Sequence, residues 1–266
     1  MRNLFFQYHM LLSFSHSVNR HHFTLKCLPV SNIRQQIIEC NYRVNPAYLG
    51  GEEKDSYGNN CIYGLIDSPH TQFTVDVSGK TLIDDTIHLL TPKAYRLGMF
   101  KYQTELTRMG AELLRMHKKT TDNNVSNEDI LDRTWKIMKT VYENISYKSG
   151  ITGVSTTAEE AAMYKCGVCQ DYAHIMLALL RFEYIPCRYV AGMMVGEGAS
   201  HAWVEVCDND KWIAFDPTHN RMVDDSYITI SYGRDARDCA INQGYFQGNT
   251  EQTQEIHVVV EDVENE

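Results

Sequence analysis

Gly167-Val168-Cys169-Gln170-Asp171-Tyr172-Ala173-His174 opens an apolar run, and Ser200-His201-Ala202-Trp203 and Phe215-Asp216-Pro217-Thr218 follow it in that order. The three segments hold a cysteine able to act as a thiolate, a histidine able to hold its proton and a carboxylate able to orient that histidine. Those are the parts of nucleophilic catalysis on an acyl group. The elements around them must bring the three together.

Local pattern places the cysteine first. Thr157-Ala158-Glu159-Glu160 has the form of a capping box, so a short helical turn is expected towards Tyr164, and Cys166 and Gly167 then break it. Beyond Cys169, the residues Ala173, Met176, Leu177 and Leu180 recur at helical spacing and predict a buried stripe. Cys169 therefore stands at a helix N-terminus. Unpaired backbone N–H groups and the positive end of the helix dipole favour a thiolate there, and can lower a cysteine from about 8.5 into roughly the 3.5–7.5 range. The same groups can meet the oxyanion of a tetrahedral intermediate. Taken alone, the residue fits equally a small buried hydrophobe, as most free cysteines are.

The histidine and the carboxylate meet through strand periodicity. Along 201–207, His201, Trp203, Glu205 and Cys207 share one face, and Ala202, Val204 and Val206 share the other. Asp208-Asn209-Asp210 reads as a tight turn and Lys211 to Asp216 as the returning strand. Pairing Cys207 with Asp210 sets His201 directly opposite Asp216, at the roughly 4.5–5.5 Å between Cβ atoms that an imidazole–carboxylate bond needs. A slip of one residue would turn the side chains to the other face. Asp216 before Pro217 fits a turn-opening aspartate equally well. His174 is rejected as the partner of Cys169, because five residues on a helix carry it roughly 140° around the axis. His219, near Asp216, is kept as a minor candidate for the same cleft.

GVCQDYAH, SHAWVEV and W-x-x-FDPTHN together resemble the catalytic core of the transglutaminase-like superfamily, in a microbial branch of candidate cysteine proteases. Tyr147-Lys148-Ser149-Gly150-Ile151-Thr152 resembles that branch's approach to the cysteine, and Gly233-Arg234-Asp235 and Gly244-Tyr245-Phe246-Gln247-Gly248 its closing segment. Leu28-Pro29, Arg34-Gln35, Tyr57-Gly58-Asn59 and Pro69-His70 resemble the β domain that precedes the core. The resemblance covers nearly the whole chain. It implies Cys169 as nucleophile, His201 as general base and then acid, and Asp216 as the orienting carboxylate. No triad position departs from the family pattern.

The 266 residues suffice for one large or two modest domains. A hydrophobic share of 43% and a charged share of 22% are those of an ordinary globular protein. The net charge of −9 argues against nucleic acid or an anionic membrane surface as partner. No apolar run approaches the ~20 residues of a membrane helix. Asn3 to Leu12 is apolar, but Gln7 and His9 interrupt it and no small-residue cleavage pattern follows, so it is read as a first strand. A cytoplasmic location is expected, in which the eight cysteines stay reduced.

Cys166-Gly167-Val168-Cys169 is also a C-x-x-C. A redox dithiol lacks its thioredoxin-like context. A zinc site would have to draw on Cys187, His201 and Cys207 with no second ligand pair at the usual spacing. No metal and no cofactor are expected, and Cys166 is read as a neighbouring, oxidisable thiol.

The remainder divides by pattern. Strands are expected at 23–28, 34–42, 60–65 and 72–77, and helices from about Thr91. Ser126-Asn127-Glu128-Asp129 resembles a capping start, with Ile130, Leu131, Trp135, Met138, Val141, Tyr142 and Ile145 on one helical face. Strands return at 184–195, 201–216 and 256–261, before an acidic, solvated tail. The expected fold is α+β: a small N-terminal β-sandwich over residues 1–87, then a papain-like, transglutaminase-like core with an antiparallel sheet over 88–266. The expected function is thiol-dependent acyl transfer on a peptide or protein amide through a thioester, most simply hydrolysis by a cysteine peptidase or amidase. The alternatives are a transglutaminase joining a glutamine acyl donor to an amine, and a non-catalytic binding module on the same fold. No D-x-D-x-D-G loop suggests calcium. Tyr172, Trp203 and Trp212 are candidate cleft walls, with core packing expected for at least two. Oligomeric state is open.

Overall fold

The computed structural model describes residues 1–91, 94–120 and 129–263. Residues 126–128 of the capping motif, and the tail beyond 263, lie outside them.

Strand β1 (Arg2–Leu25) is the spine of the first sheet. Leu4, Phe6, Tyr8, Met10, Leu12 and Phe14 are buried at even positions, whereas His21, Phe23 and Leu25 are buried at odd ones. Irregularities between Ser13 and Val18, and between Asn19 and His22, separate the two runs. An odd shift in a strand swaps faces, so both halves of β1 turn their apolar side chains into one core, which joins Leu4 and Phe6 with Phe23 and Ile62. The two strands expected at 3–12 and 23–28 are thus parts of a single 24-residue strand.

Four strands follow: β2 (Gln35–Asn45), β3 (Leu49–Lys54), β4 (Asn60–Ile66) and β5 (His70–Ile83). The early half of β1 pairs with β5, which also pairs with β2, and the late half pairs with β4.

The second part opens with β6 (Leu89–Leu90), a 3-10 helix (Ala94–Phe100), α1 (Ala111–Thr120) and α2 (Ile130–Asn144). On α2 the buried positions include Thr134, Ile137, Met138 and Val141, while Trp135 and Tyr142 are exposed. The apolar face is therefore narrower than the sequence stripe suggested. Next come β7 (Ser146–Tyr147), α3 (Ala158–Tyr164), β8 (Cys166–Gly167) and α4 (Cys169–Phe182). Thr157 and Glu160 form the capping box of α3 as expected.

Every residue of α4 from Asp171 to Arg181 is buried, because α4 lies between the other helices and a second antiparallel sheet. That sheet runs β13 (Arg221–Met222), β12 (Lys211–Asp216), β11 (His201–Asp208), β9 (Cys187–Met194) and β14 (Tyr227–Gly233), with β6 also on β12. Ala202, Val204 and Val206 face the helices and Trp203 faces away, as the alternation predicted.

Strand β10 (Gly196–Gly198) and the last two strands, β15 (Asn242–Gln247) and β16 (Gln252–Asp262), belong to the first sheet. Both β15 and β16 pair with β1, and β10 pairs with β16. The N-terminal sheet therefore includes residues from beyond position 88. No helix among the described residues is long and apolar enough to cross a membrane.

Candidate active site

Cys169 is the first residue of α4. What holds it there is a carboxylate that the sequence reading left unassigned. Asp171 Oδ2 accepts from the Val168 N–H at 2.7 Å and from the Thr152 hydroxyl at 2.7 Å. This is the reach-back of a third-position acid to the residue that opens a helix. Gly167 leaves the room for it: a Cβ there would lie 2.4 Å from Asp171 Oδ2. Ahead of the helix, Cys166 and Gly167 pair in parallel with Ser146 and Tyr147, which fixes the approach to Cys169. The Asp171 and Tyr172 N–H groups bond the Val168 carbonyl, whereas the N–H groups of Cys169 and Gln170 precede any helical carbonyl partner.

His201 begins β11 and Asp216 ends β12. The hairpin closes by pairing Asp208 with Lys211, around Asn209 and Asp210 at φ 46° and 62°, and not by pairing Cys207 with Asp210. Two left-handed residues make the two-residue turn that matches strand twist, so the expected register is off by two positions. A shift of two keeps every side chain on its face. His201 accordingly still meets Asp216, along a diagonal, with Nε2 2.8 Å from Oδ2.

A carboxylate oxygen can only accept, so Nε2 carries the proton and Nδ1 is the ring nitrogen left for the thiol. Cys169 is near enough to act electrostatically on the same imidazole. Burial works against the imidazolium, but Asp216 and Cys169 outweigh it and His201 is pushed up to about 9.

Asp216 is fully buried and heavily bonded. Its Oδ2 also accepts from Tyr227 Oη at 2.8 Å and faces His219 Nδ1 at 2.7 Å. Its Oδ1 accepts the N–H groups of Thr218 at 2.9 Å and His219 at 3.3 Å. The aspartate thus opens a turn with one oxygen and faces imidazoles with the other. Burial would raise its pKa, but the bonds from His201, His219 and Tyr227 hold it well below the usual carboxylate range.

Tyr227 is the residue that sequence reasoning missed. It lies on β14, 11 positions from Asp216, and no local pattern marks it. Its ring packs edge-on against Trp203, and Arg221 Nε donates to its hydroxyl at 3.0 Å.

The other candidates fall elsewhere. His174 is wholly buried and accepts the Ala236 N–H at Nε2; burial lowers it to about 4. Tyr172, Trp203 and Trp212 are all buried, and none lines the cleft beside His201. Tyr172 donates to the Ile145 carbonyl, and Trp212 lies under the Arg188 guanidinium. The cleft of about 440 Å³ beside His201 is lined instead by Tyr147, Met194, Glu197, Thr218, His219 and Val258, among others. Cys187 and Cys207 are buried away from it. Among the described residues, the group spaced to hold a cation is His201, Asp216 and His219, whose ligand atoms lie within 4.8 Å of one another.

Residues 118–217 match the model of the transglutaminase-like superfamily, and residues 6–81 match the bacterial transglutaminase-like N-terminal region. The chain belongs to the transglutaminase-like superfamily. Cys169, His201 and Asp216 all fall inside the first match. The transglutaminase-like chain is 29% identical over 259 residues to the uncharacterized protein ML0607 of Mycobacterium leprae, covering 88% of each. It is 25% identical over 257 residues to the uncharacterized protein Rv2569c of Mycobacterium tuberculosis, covering 84% of this chain and 81% of that one. Its fold is that of a candidate cysteine protease from Cytophaga hutchinsonii, with a TM-score of 0.79 at 22% identity, over 100% of this chain and 93% of that one.

Proposed function

We propose that the protein is a cysteine peptidase or amidase that cleaves amide bonds through a thioester on Cys169. The observation that carries this reading is the hydrogen bond from His201 to Asp216 in a site where Cys169 starts α4, with Asp216 and Cys169 together raising the imidazole pKa. An imidazolium beside a thiol favours the thiolate form of the pair at neutral pH.

The thiolate attacks the amide carbonyl, the C–S bond forms and the carbonyl electron pair moves onto oxygen. The N–H groups of Cys169 and Gln170, at the start of α4, meet that charge. As the intermediate collapses, the C–N bond breaks and His201 gives its proton to the leaving amine. His201 then takes a proton from water, which attacks the thioester, and the C–S bond breaks to release the acid. Asp216 stabilises the imidazolium throughout. The cleft supports water as acceptor, because His219 on its wall is 42% exposed at the side chain. An amine in place of water would give transamidation with the same residues. The proposal places the protein in the cytoplasm, a reducing compartment in which its eight cysteines would stay thiols.

Intact-mass analysis during incubation with a lysine-free glutamine peptide, with and without an added amine, tests the proposal. An acyl adduct on Cys169, absent in Cys169→Ala and discharged as free acid with no amine added, is the expected result. Peptide turnover unchanged in Cys169→Ala would refute it.

A further inference from the structure

Strand β10, Gly196-Glu197-Gly198, is the outermost strand of the first sheet. One edge pairs with β16, through Gly196 opposite Val260, Glu197 opposite Val259 and Gly198 opposite Val258, and no strand covers the other edge among the described residues. All three residues are exposed. They line the same cleft as His201, which follows Gly198 by three positions. An open strand edge is a template for an added strand. Edges are normally blunted by bulk, proline or lysine. Here a Cβ on Gly196 or Gly198 would meet nothing within 4 Å, so the approach to the backbone is bare.

We propose that this edge docks the substrate: an extended peptide with basic side chains that adds as a strand to Gly196–Gly198 and so delivers its amide to Cys169. The inference rests on the acyl-transfer reading above. Side chains alternate along a strand, so Glu197 lies on the outer face with His257 and Val259, while Val258 and Val260 point into the core. The peptide residue opposed to Glu197 carries its side chain onto that outer face, next to the carboxylate. Glu197 Oε1 lies 3.6 Å from His257 Nε2 and is otherwise open to water at 75% side-chain exposure. A lysine or arginine there meets an anion, and an acidic residue is repelled. Met194 and Tyr147 offer apolar contact in the same cleft.

The probes are two bromoacetyl tetrapeptide amides with lysine, or glutamate, at alternate positions, and iodoacetamide as a reagent with no strand to add. Labelling of Cys169 is followed by mass spectrometry in the wild type and in Glu197→Lys. The lysine peptide is expected to label the wild type roughly fivefold faster than the glutamate peptide. The order should reverse in Glu197→Lys, with the iodoacetamide rate equal in both proteins. N-methylation of the peptide backbone should abolish the preference. Rapid iodoacetamide labelling with no charge preference, or with a preference unmoved by Glu197→Lys, overturns the docking site and leaves the activated thiol standing. Slow labelling of Cys169 by iodoacetamide itself overturns the acyl-transfer reading, and this inference with it.

Discussion

His201 Nε2 lies 2.8 Å from Asp216 Oδ2 although the two residues are not opposed in their hairpin, which pairs Val204 with Phe215. The bond crosses the ladder diagonally, and four further donors or ring nitrogens crowd the same carboxylate.

That pairing sets a pH dependence. His201 is pushed up to about 9, above the roughly 6.5 of an unfolded histidine. Its contribution to stability is complete below about pH 6.5 and is lost as pH rises through about 9. Asp216, held below its usual range, contributes above about pH 4, and that part is lost as pH falls through its depressed value. Thermal midpoints between pH 6 and 10 should therefore fall more steeply in the wild type than in Asp216→Asn. Parallel curves would remove the ion pair from the account.

Tyr227→Phe deletes one donor to a buried anion and leaves Arg221 Nε without its acceptor. A hydrogen bond to a charged group is worth about 1.5–3 kcal/mol. The variant should fold with a near-native circular dichroism spectrum and lose roughly tenfold or more in Cys169 alkylation rate. Wild-type reactivity would show that the tyrosine does not position Asp216.

Gly167→Ala would push a Cβ to 2.4 Å from Asp171 Oδ2 and displace the carboxylate from the Val168 N–H. Loss of about 2 kcal/mol in urea unfolding is expected from overpacking and a broken cap. Asp171→Asn keeps the shape and should cost less. Equal stability of Gly167→Ala and wild type would mean that the turn has slack.

Gly192→Ala tests the other side of the site, since Gly192 is paired with His201. A Cβ there would lie 2.2 Å from the Ile228 carbonyl oxygen and 2.3 Å from the Trp203 ring. Destabilisation of about 3 kcal/mol or more is expected. Shortening Trp203 should not rescue it, because the backbone contact remains.

Much of this site was legible because its signals are local. The start of α4 shows in the spacing of Ala173, Met176, Leu177 and Leu180, and the faces of β11 show in its alternation. Register was not legible, because Asp208-Asn209-Asp210 allows two turn closures of the same parity. Their difference lies in the left-handed conformations of Asn209 and Asp210. Tyr227 and the β10 edge come from strands brought in by topology, which leaves no short-range trace. The same holds for β16, whose pairing along β1 joins the two ends of the chain. In α2, Trp135 and Tyr142 fit the apolar stripe by type yet sit at its solvent margin, because aromatic residues tolerate a half-covered rim. The three aromatic residues offered as cleft walls are buried because strand and helix faces, not proximity in sequence, decide where a ring goes.

The central claim is that His201 keeps Cys169 reactive. Brief, substoichiometric iodoacetamide labelling near pH 6, with peptide mapping, tests it most directly in the wild type and in His201→Ala. Selective modification of Cys169 among the eight cysteines, lost when His201 is removed, is the predicted result. Slow, indiscriminate labelling of several cysteines, or labelling of Cys169 unchanged in His201→Ala, would contradict it.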